Sequence, residues 1–440
     1  MPDGDYYVAT WGDDSNPGTF DSPWASWQKA FETAEAGNTV YFRGGIYRPV
    51  SDAYGNSTSR ITPRTGKGHN GTDGNPIRYF NYPGETPILD YSLFTPSGNF
   101  NTGLLIEGGN LLHFKGLTIR NVWQRRDGVT ANGIQAYACN NLTFENFTVH
   151  NIGGRAFGFI AGFGSVYPEI KYDTTRFINC DAYNICDSLC NDLANCETTQ
   201  PGGISDGFKC DNTAGSYILF EECRAWNFSD NGIDISGSVF AEVKNCWLIG
   251  GGLLFNGVKL GEGGGIKYGD LREPITTITR RIVNCISAYN TWLGFDENNS
   301  GGGYYPLNCE IYNNVSYKNY IGFGNFSYME GATYQNKYRN NVSYKETRYA
   351  RGDEAGDIIE DHNSWLSTSS LAEPAIPLTD EDFVSTNPHE LTKPRQADGS
   401  LPKINFLRLS KDSKLIDAGI DVGLPFNGNA PDLGTFESDW

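Results

Sequence analysis

Cys223-Arg224-Ala225-Trp226-Asn227, followed by Ser229-Asp230-Asn231-Gly232-Ile233-Asp234, holds the two phrases on which the reading of the fold turns. The first phrase runs from an apolar or Cys residue to Asn. It recurs as Leu117-Thr118-Ile119-Arg120-Asn121, Phe147-Thr148-Val149-His150-Asn151 and Cys180-Asp181-Ala182-Tyr183-Asn184. Later forms are Ile286-Ser287-Ala288-Tyr289-Asn290 and Val315-Ser316-Tyr317-Lys318-Asn319. The second phrase is Gly, an apolar residue, then a variable one, at Gly133, Gly158, Gly207, Gly232, Gly257, Gly294 and Gly322. Gly133 and Gly158 are 25 apart, as are Gly207, Gly232 and Gly257. Each unit is a short β-branched or aromatic run bounded by Asn and Gly, which reads as strand and turn; helical periodicity is missing. A 25-residue period of short strands predicts an all-β chain wound as a right-handed parallel β-helix, each coil stacked on the last.

Outward from this repeat, Trp27, Ala30, Phe31 and Ala34 share one helical face that ends at Gly37. An N-terminal helical cap at about 24–37 is therefore expected over the open end of the core. The β-helix is expected to occupy residues 1–365. The Pro-rich, strand-poor remainder, 366–440, is read as an irregular tail packed on the solenoid. Cys180, Cys223 and Cys246 read as small buried fillers. Cys186, Cys190 and Cys196 sit in a long insertion between Asn184 and Gly207, where one disulfide and a spare would fit an exported protein.

Composition narrows the function. The 440 residues carry 34 basic and 52 acidic side chains, a net charge of 34 − 52 = −18. That balance argues against a nucleic-acid partner, which needs clustered Lys and Arg. No stretch approaches the roughly 18 apolar residues of a membrane span. Five His without metal-ligand spacing argue against zinc enzymes and His-based triads. The opening Met1-Pro2-Asp3-Gly4 shows no signal peptide.

In-register coils bring residues 25 apart to about 4.8 Å. The residue after each Gly should point inward and the next outward. That outward column is expected to read Gln135, Ile160, Lys209, Asp234, Lys259, Asp296. Asp206, Asp230 and Asn231 should gather beside Asp234, with Lys259 one coil further. Such oxygen donors suit a hard cation, Ca2+ above all. A Lys beside a cation has its ammonium form disfavoured and can act as a base. That pair of features suits removal of the C5 proton of a uronic acid, followed by departure of the C4 oxygen. An alternating ion-pair ladder, Lys209–Asp234–Lys259–Asp296, accounts for the same spacing without chemistry. Arg272, Arg280 and Arg281, in an insertion between Gly257 and Gly294, are candidates to bind substrate carboxylates, with Lys209 and Asp296. Trp226, Trp292 and Tyr268 are candidates to stack on sugar faces.

Asp206-Gly207-Phe208, Cys223 to Asn227, Ser229 to Asp234, Asn256-Gly257-Val258-Lys259-Leu260-Gly261 and Gly294-Phe295-Asp296 together resemble the ninth family of polysaccharide lyases, the pectate-lyase-like β-helix enzymes. The resemblance spans roughly residues 5–345. It implies calcium ligation by Asp206, Asp230 and Asp234, and Lys259 as the Brønsted base. The family often has a second Asp where this chain has Asn231, whose amide oxygen can still ligate. The expectation is a calcium-assisted lyase, monomeric, acting by β-elimination on an acidic plant polysaccharide, polygalacturonate or rhamnogalacturonan I. A secreted, periplasmic or cell-surface bacterial protein is implied. Two alternatives remain at this point: a β-helix glycoside hydrolase with paired Asp residues, and a non-catalytic carbohydrate-binding solenoid.

Overall fold

The computed structural model describes residues 2–49, 59–94, 101–124, 131–161, 174–187, 202–212, 216–237, 240–253, 259–271, 277–298, 307–326, 336–352, 358–366 and 374–439. The side chains of Ala161, Asn212 and Gly352 are left out of that description. Three parallel sheets, of 12, 10 and 10 strands, run the length of the solenoid, and each strand pairs with its counterpart one coil away. The architecture is the right-handed parallel β-helix that the repeat predicts.

Inward columns explain why these residues form these strands. On the first sheet Phe114, Phe144, Phe177 and Phe220 stack at 5.3, 5.3 and 5.0 Å. On the second, Phe157 lies on Phe208 at 4.8 Å. Each such pair contributes roughly 0.5–1.5 kcal/mol beyond its burial. The glycine column has a steric cause: a Cβ on Gly207 would sit 2.5 Å from the Gly232 carbonyl oxygen, and one on Gly232 would sit 2.8 Å from that of Gly265. The turns after the first Asn phrase are left-handed. Asn121, Asn151, Asn184 and Asn227 all have φ between 53° and 63°. Their side chains form a ladder, each donating to the one before at 3.0, 3.1 and 3.2 Å. Asn tolerates this backbone because its short amide bonds locally.

Two details of the repeat differ from the expectation. Asn290 and Asn319 do not continue that ladder, because Ile286 pairs with Trp247 and thus aligns with Arg224, one residue later than Cys223. The left-handed positions there are Tyr289 and Lys318, and the Asn side chains bond backbone N–H groups instead. Gly158 is likewise out of the glycine column: Phe157 pairs with Phe208, so Gly158, not Ile160, lies beside Lys209.

The helix Trp27–Thr33 closes the N-terminal end, with the Ser26 hydroxyl accepting from the Lys29 N–H and Trp27, Ala30 and Phe31 buried. It stops at Ala34, earlier than Gly37, whose left-handed φ serves the following turn. Trp365, stacked on Phe323 at 4.7 Å, lies at the other end. Residues 374–439 run back over the third sheet. Phe383, Leu391, Ile404, Phe406, Leu415 and Leu433 cover Trp247, Ile286, Val315, Tyr317, Val342 and Tyr344. Cys180, Cys223 and Cys246 are buried free thiols in the core. Cys186 is buried, while Cys190 and Cys196 lie outside the described residues.

Candidate active site

The outward face of the second sheet carries a charged column beside buried acids. Register along it places Gln135, Gly158, Lys209, Asp234, Lys267, Asp296 and Gly324 in one column. Lys267, not Lys259, follows Asp234. The 25-residue spacing holds from Phe208 to Ile233 but fails on the next coil, where Ile233 pairs with Ile266. The chain leaves the solenoid at Gly252 and returns at Gly263, whose backbones nearly touch: a Cβ on Gly252 would lie 2.9 Å from the Gly263 Cα. Lys259 is part of this excursion, exposed and bridged to Leu253. The signal that finds Lys267 is in the sequence, since Gly265-Ile266-Lys267 matches the Gly232-Ile233-Asp234 phrase as well as Gly257-Val258-Lys259 does.

The acids gather as expected. Asp206, Asp230, Asn231 and Asp234 are all nearly excluded from solvent. Asn231 donates to the Asp206 carboxylate from its backbone at 3.2 Å and its amide at 3.4 Å. Arg155 Nε stands 3.6 Å from the other Asp206 oxygen. Lys209 Nζ donates to Asp234 at 2.5 Å, and Lys267 Nζ to Glu262 at 3.1 Å. Behind the cluster, buried Asp187 accepts from the hydroxyls of Ser205 (2.8 Å) and Ser229 (3.3 Å), the residues immediately before Asp206 and Asp230. Arg155, Glu262 and Asp187 had no repeat signal to mark them.

Burial and mutual repulsion govern these groups. Burial, then the charge of Asp234, pushes the Asp206 carboxyl up; burial, then Asp206, Glu262 and Asp234, pushes Asp230 well up. Burial also works against Asp234, but Lys209 and Lys267 outweigh it and hold that carboxyl below its ordinary value. Burial disfavours the Lys267 ammonium, yet Asp234, Glu262, Asp230 and Asp296 outweigh it and raise Lys267 above its ordinary value. Burial takes Asp296 up to about 7 despite Lys267.

The donor set fits a hard cation in chemistry. Asp230 Oδ1 and Asn231 Oδ1 are buried and accept no hydrogen bond from any described residue. Such orphaned oxygens cost about 1–3 kcal/mol each unless something satisfies them. Among the described residues no three carboxylate, His or Cys groups form a ready-made metal cage, so the amide of Asn231 and solvent or substrate oxygens belong to any complete shell. Beside the cluster a pocket of ≈ 210 Å³ is lined by Lys209, Asp234, Ser236, Lys267, Asp270 and Asn298 among others.

Arg280 and Arg281 do not line this face. Arg280 is fully buried on the first sheet, pointing inward, and donates to the carbonyls of Tyr268 (3.1 Å) and Gly237 (2.9 Å). Arg281 points outward from the same sheet, 3.7 Å from Glu310. Strand alternation sets both. Arg272 lies outside the described residues. Tyr268 is inside the core, and Trp226 packs on Tyr183 at 4.4 Å.

Residues 6–341 match the family described as Pel9A-like, right-handed beta helix region. The chain belongs to that family. It is 30% identical over 441 residues to Pectate lyase L of Dickeya chrysanthemi, covering 98% of this chain and 90% of that one. Pectate lyase PEL9 of Emericella nidulans is 26% identical over 444 residues, covering 95% of each. The crystal structure of pectate lyase Pel9A superposes with a TM-score of 0.74 at 26% identity, covering 99% of this chain and 96% of that one. A rhamnogalacturonan lyase, TM-score 0.69 at 23% identity over 92% and 96% of the two chains, shares the fold. The protein is thus a polysaccharide lyase, and the hydrolase and non-catalytic alternatives fall away.

Proposed function

We propose that this lyase cleaves galacturonate-containing pectic polysaccharide by calcium-assisted β-elimination, with Lys267 as the base. The observation that carries the reading is the register of the second sheet: Lys267 stands between Asp234 and Asp296 in the outward column, beside the buried acids. Lys267 Nζ takes the C5 proton of a uronate. The electron pair forms the C4–C5 double bond, the bond from C4 to the glycosidic oxygen breaks, and that oxygen acquires a proton to become a hydroxyl. Calcium held by oxygens of Asp206, Asp230, Asn231 and Asp234 would supply positive charge opposite the sugar carboxylate, acidifying C5 and lowering Lys267 from its ammonium form. Lys209 neutralises Asp234, leaving Lys267 less tightly held by that carboxylate than it would be alone. The pocket lined by Ser236, Asp270 and Asn298 offers hydrogen-bonding groups to the hydroxyls of a ring seated against Lys267. Lys209 and Asp296 belong to the same substrate-facing column; Arg272, Arg280 and Arg281 carry no part of the reading.

The names of the curated relatives support pectate as the first polymer to test, with the rhamnogalacturonan I backbone second. A polymer of this size does not cross a membrane, so we infer a secreted, periplasmic or cell-surface location, and a monomer as the working form. No described helix is long and apolar enough to span a membrane. The test is ultraviolet absorbance of the unsaturated uronate product on both polymers. Absorbance should rise, stop on addition of chelator and return with Ca2+. Absence of product on every uronate polymer would overturn the reading; activity indifferent to chelator would remove the cation from it.

A further inference from the structure

Trp292 and Tyr320 are among the few large aromatic side chains left exposed, at 36% and 38%. Their rings lie 5.4 Å apart and within 11° of parallel, stacked along the solenoid axis. Their position is set by the same turn that carries the acids. The Gly264 N–H bonds to the Asp230 carbonyl (3.0 Å), the Trp292 N–H to that of Gly263 (3.2 Å), and the Tyr320 N–H to that of Trp292 (3.0 Å). Asp230, Gly263, Trp292 and Tyr320 therefore occupy equivalent places on four successive coils. At about 4.8 Å per coil, Trp292 stands roughly 10 Å from Asp230, a distance that a short oligosaccharide spans.

Glycine at 263 matters here. Tyr320 covers one face of the Trp292 indole, while the neighbour on the other side has no side chain. Gly263 therefore adds no side chain against the indole face on the acid-cluster side. An exposed aromatic column on a solenoid turn has no core to serve, and two stacked rings give a rigid flat surface at little entropic cost. The flat C–H face of a pyranose ring matches such a surface.

From this geometry we propose that Trp292, backed by Tyr320, is a sugar-binding subsite on the C-terminal side of the cleavage site, taking a pyranose ring of the same pectic chain. The inference rests on the proposed pectic substrate. It gives the substrate a path along the solenoid: the polymer passes the acids and Lys267 and continues over Gly263 to the indole.

The test compares wild type with Trp292→Ala, Trp292→Phe and Tyr320→Ala. Initial rates are measured on polygalacturonate and on its shortest cleavable oligomer, and retardation is measured in gels containing polygalacturonate. Trp292→Ala should raise KM for the polymer about tenfold, leave kcat within about twofold, weaken gel retardation, and change the oligomer kinetics much less. Trp292→Phe should restore most of the affinity, and Tyr320→Ala should show a smaller rise in KM with Trp292 still in place. Unchanged KM and retardation in an active Trp292→Ala enzyme would overturn this inference alone. So would an equal loss on polymer and oligomer. A wild-type protein that neither binds nor cleaves any pectic polymer would overturn the substrate reading and this inference together.

Discussion

The second and third sheets have the same coil geometry and opposite outward faces. On the third sheet the outward residues are apolar or aromatic, as at Trp247, Tyr317 and Tyr344, and the tail buries them. On the second the equivalent column is Lys209, Asp234, Lys267 and Asp296, with a pocket rather than chain over it among the described residues. Inward residues keep the coils stacked on both. The outward residues alone decide whether a face serves stability or chemistry. The charged part of the third sheet confirms the distinction. Asp181 is gripped by Arg224 (2.7 Å) and by Arg395 of the tail (2.8 Å), while Arg224 also donates to the carbonyls of Leu391 and Lys393. Those charges are consumed in fastening the tail.

The comparison breaks if changes on the covered face alter turnover, or if changes on the open face alter only stability. The largest stability effect is expected for Asp181→Ala, which leaves two arginines facing each other under the tail. It should cost about 3–5 kcal/mol, read as a lower denaturant midpoint, with kcat unchanged under conditions where the variant remains folded. Asp296→Asn, on the open face, should lower turnover and have a smaller, pH-dependent effect on stability. The folded carboxyl titrates near 7, above its ordinary value of 3.8. Below about pH 3 both folded and unfolded chains hold the proton. As pH rises from 3 through 7 the unfolded chain releases it first, so this residue costs stability that is fully felt above 7. The Asn variant should accordingly be more stable than wild type at pH 8 and no more stable at pH 3, as thermal midpoints at the two pH values will show.

The legible part of the molecule is the part where the period held. The gathering of Asp206, Asp230, Asn231 and Asp234 is legible because Phe208 and Ile233 are one uninterrupted coil apart, so sequence spacing equals spatial register. The place of Lys267 in the outward column is hidden because the excursion from Gly252 to Gly263 inserts residues at a turn, where a solenoid absorbs them at no cost to register, and Gly257-Val258-Lys259 has the expected spacing. Arg280 was misjudged for a related reason. It begins a first-sheet strand whose alternation turns it inward, and a strand start cannot be told from the end of a polar loop by composition. The tail's apolar residues, scattered among Pro and polar residues, show no period, since they fit a surface rather than a coil.

The most direct measurement compares Lys267→Ala with Lys259→Ala on polygalacturonate and rhamnogalacturonan I, with Ca2+ present, following the unsaturated product by ultraviolet absorbance. If Lys267 is the base, its Ala variant, assayed under conditions where it remains folded, loses activity by a factor on the order of 10²–10⁴, while Lys259→Ala stays within a few-fold of wild type. Full activity in Lys267→Ala, or its loss in Lys259→Ala alone, would contradict the assignment that the register of the second sheet supports.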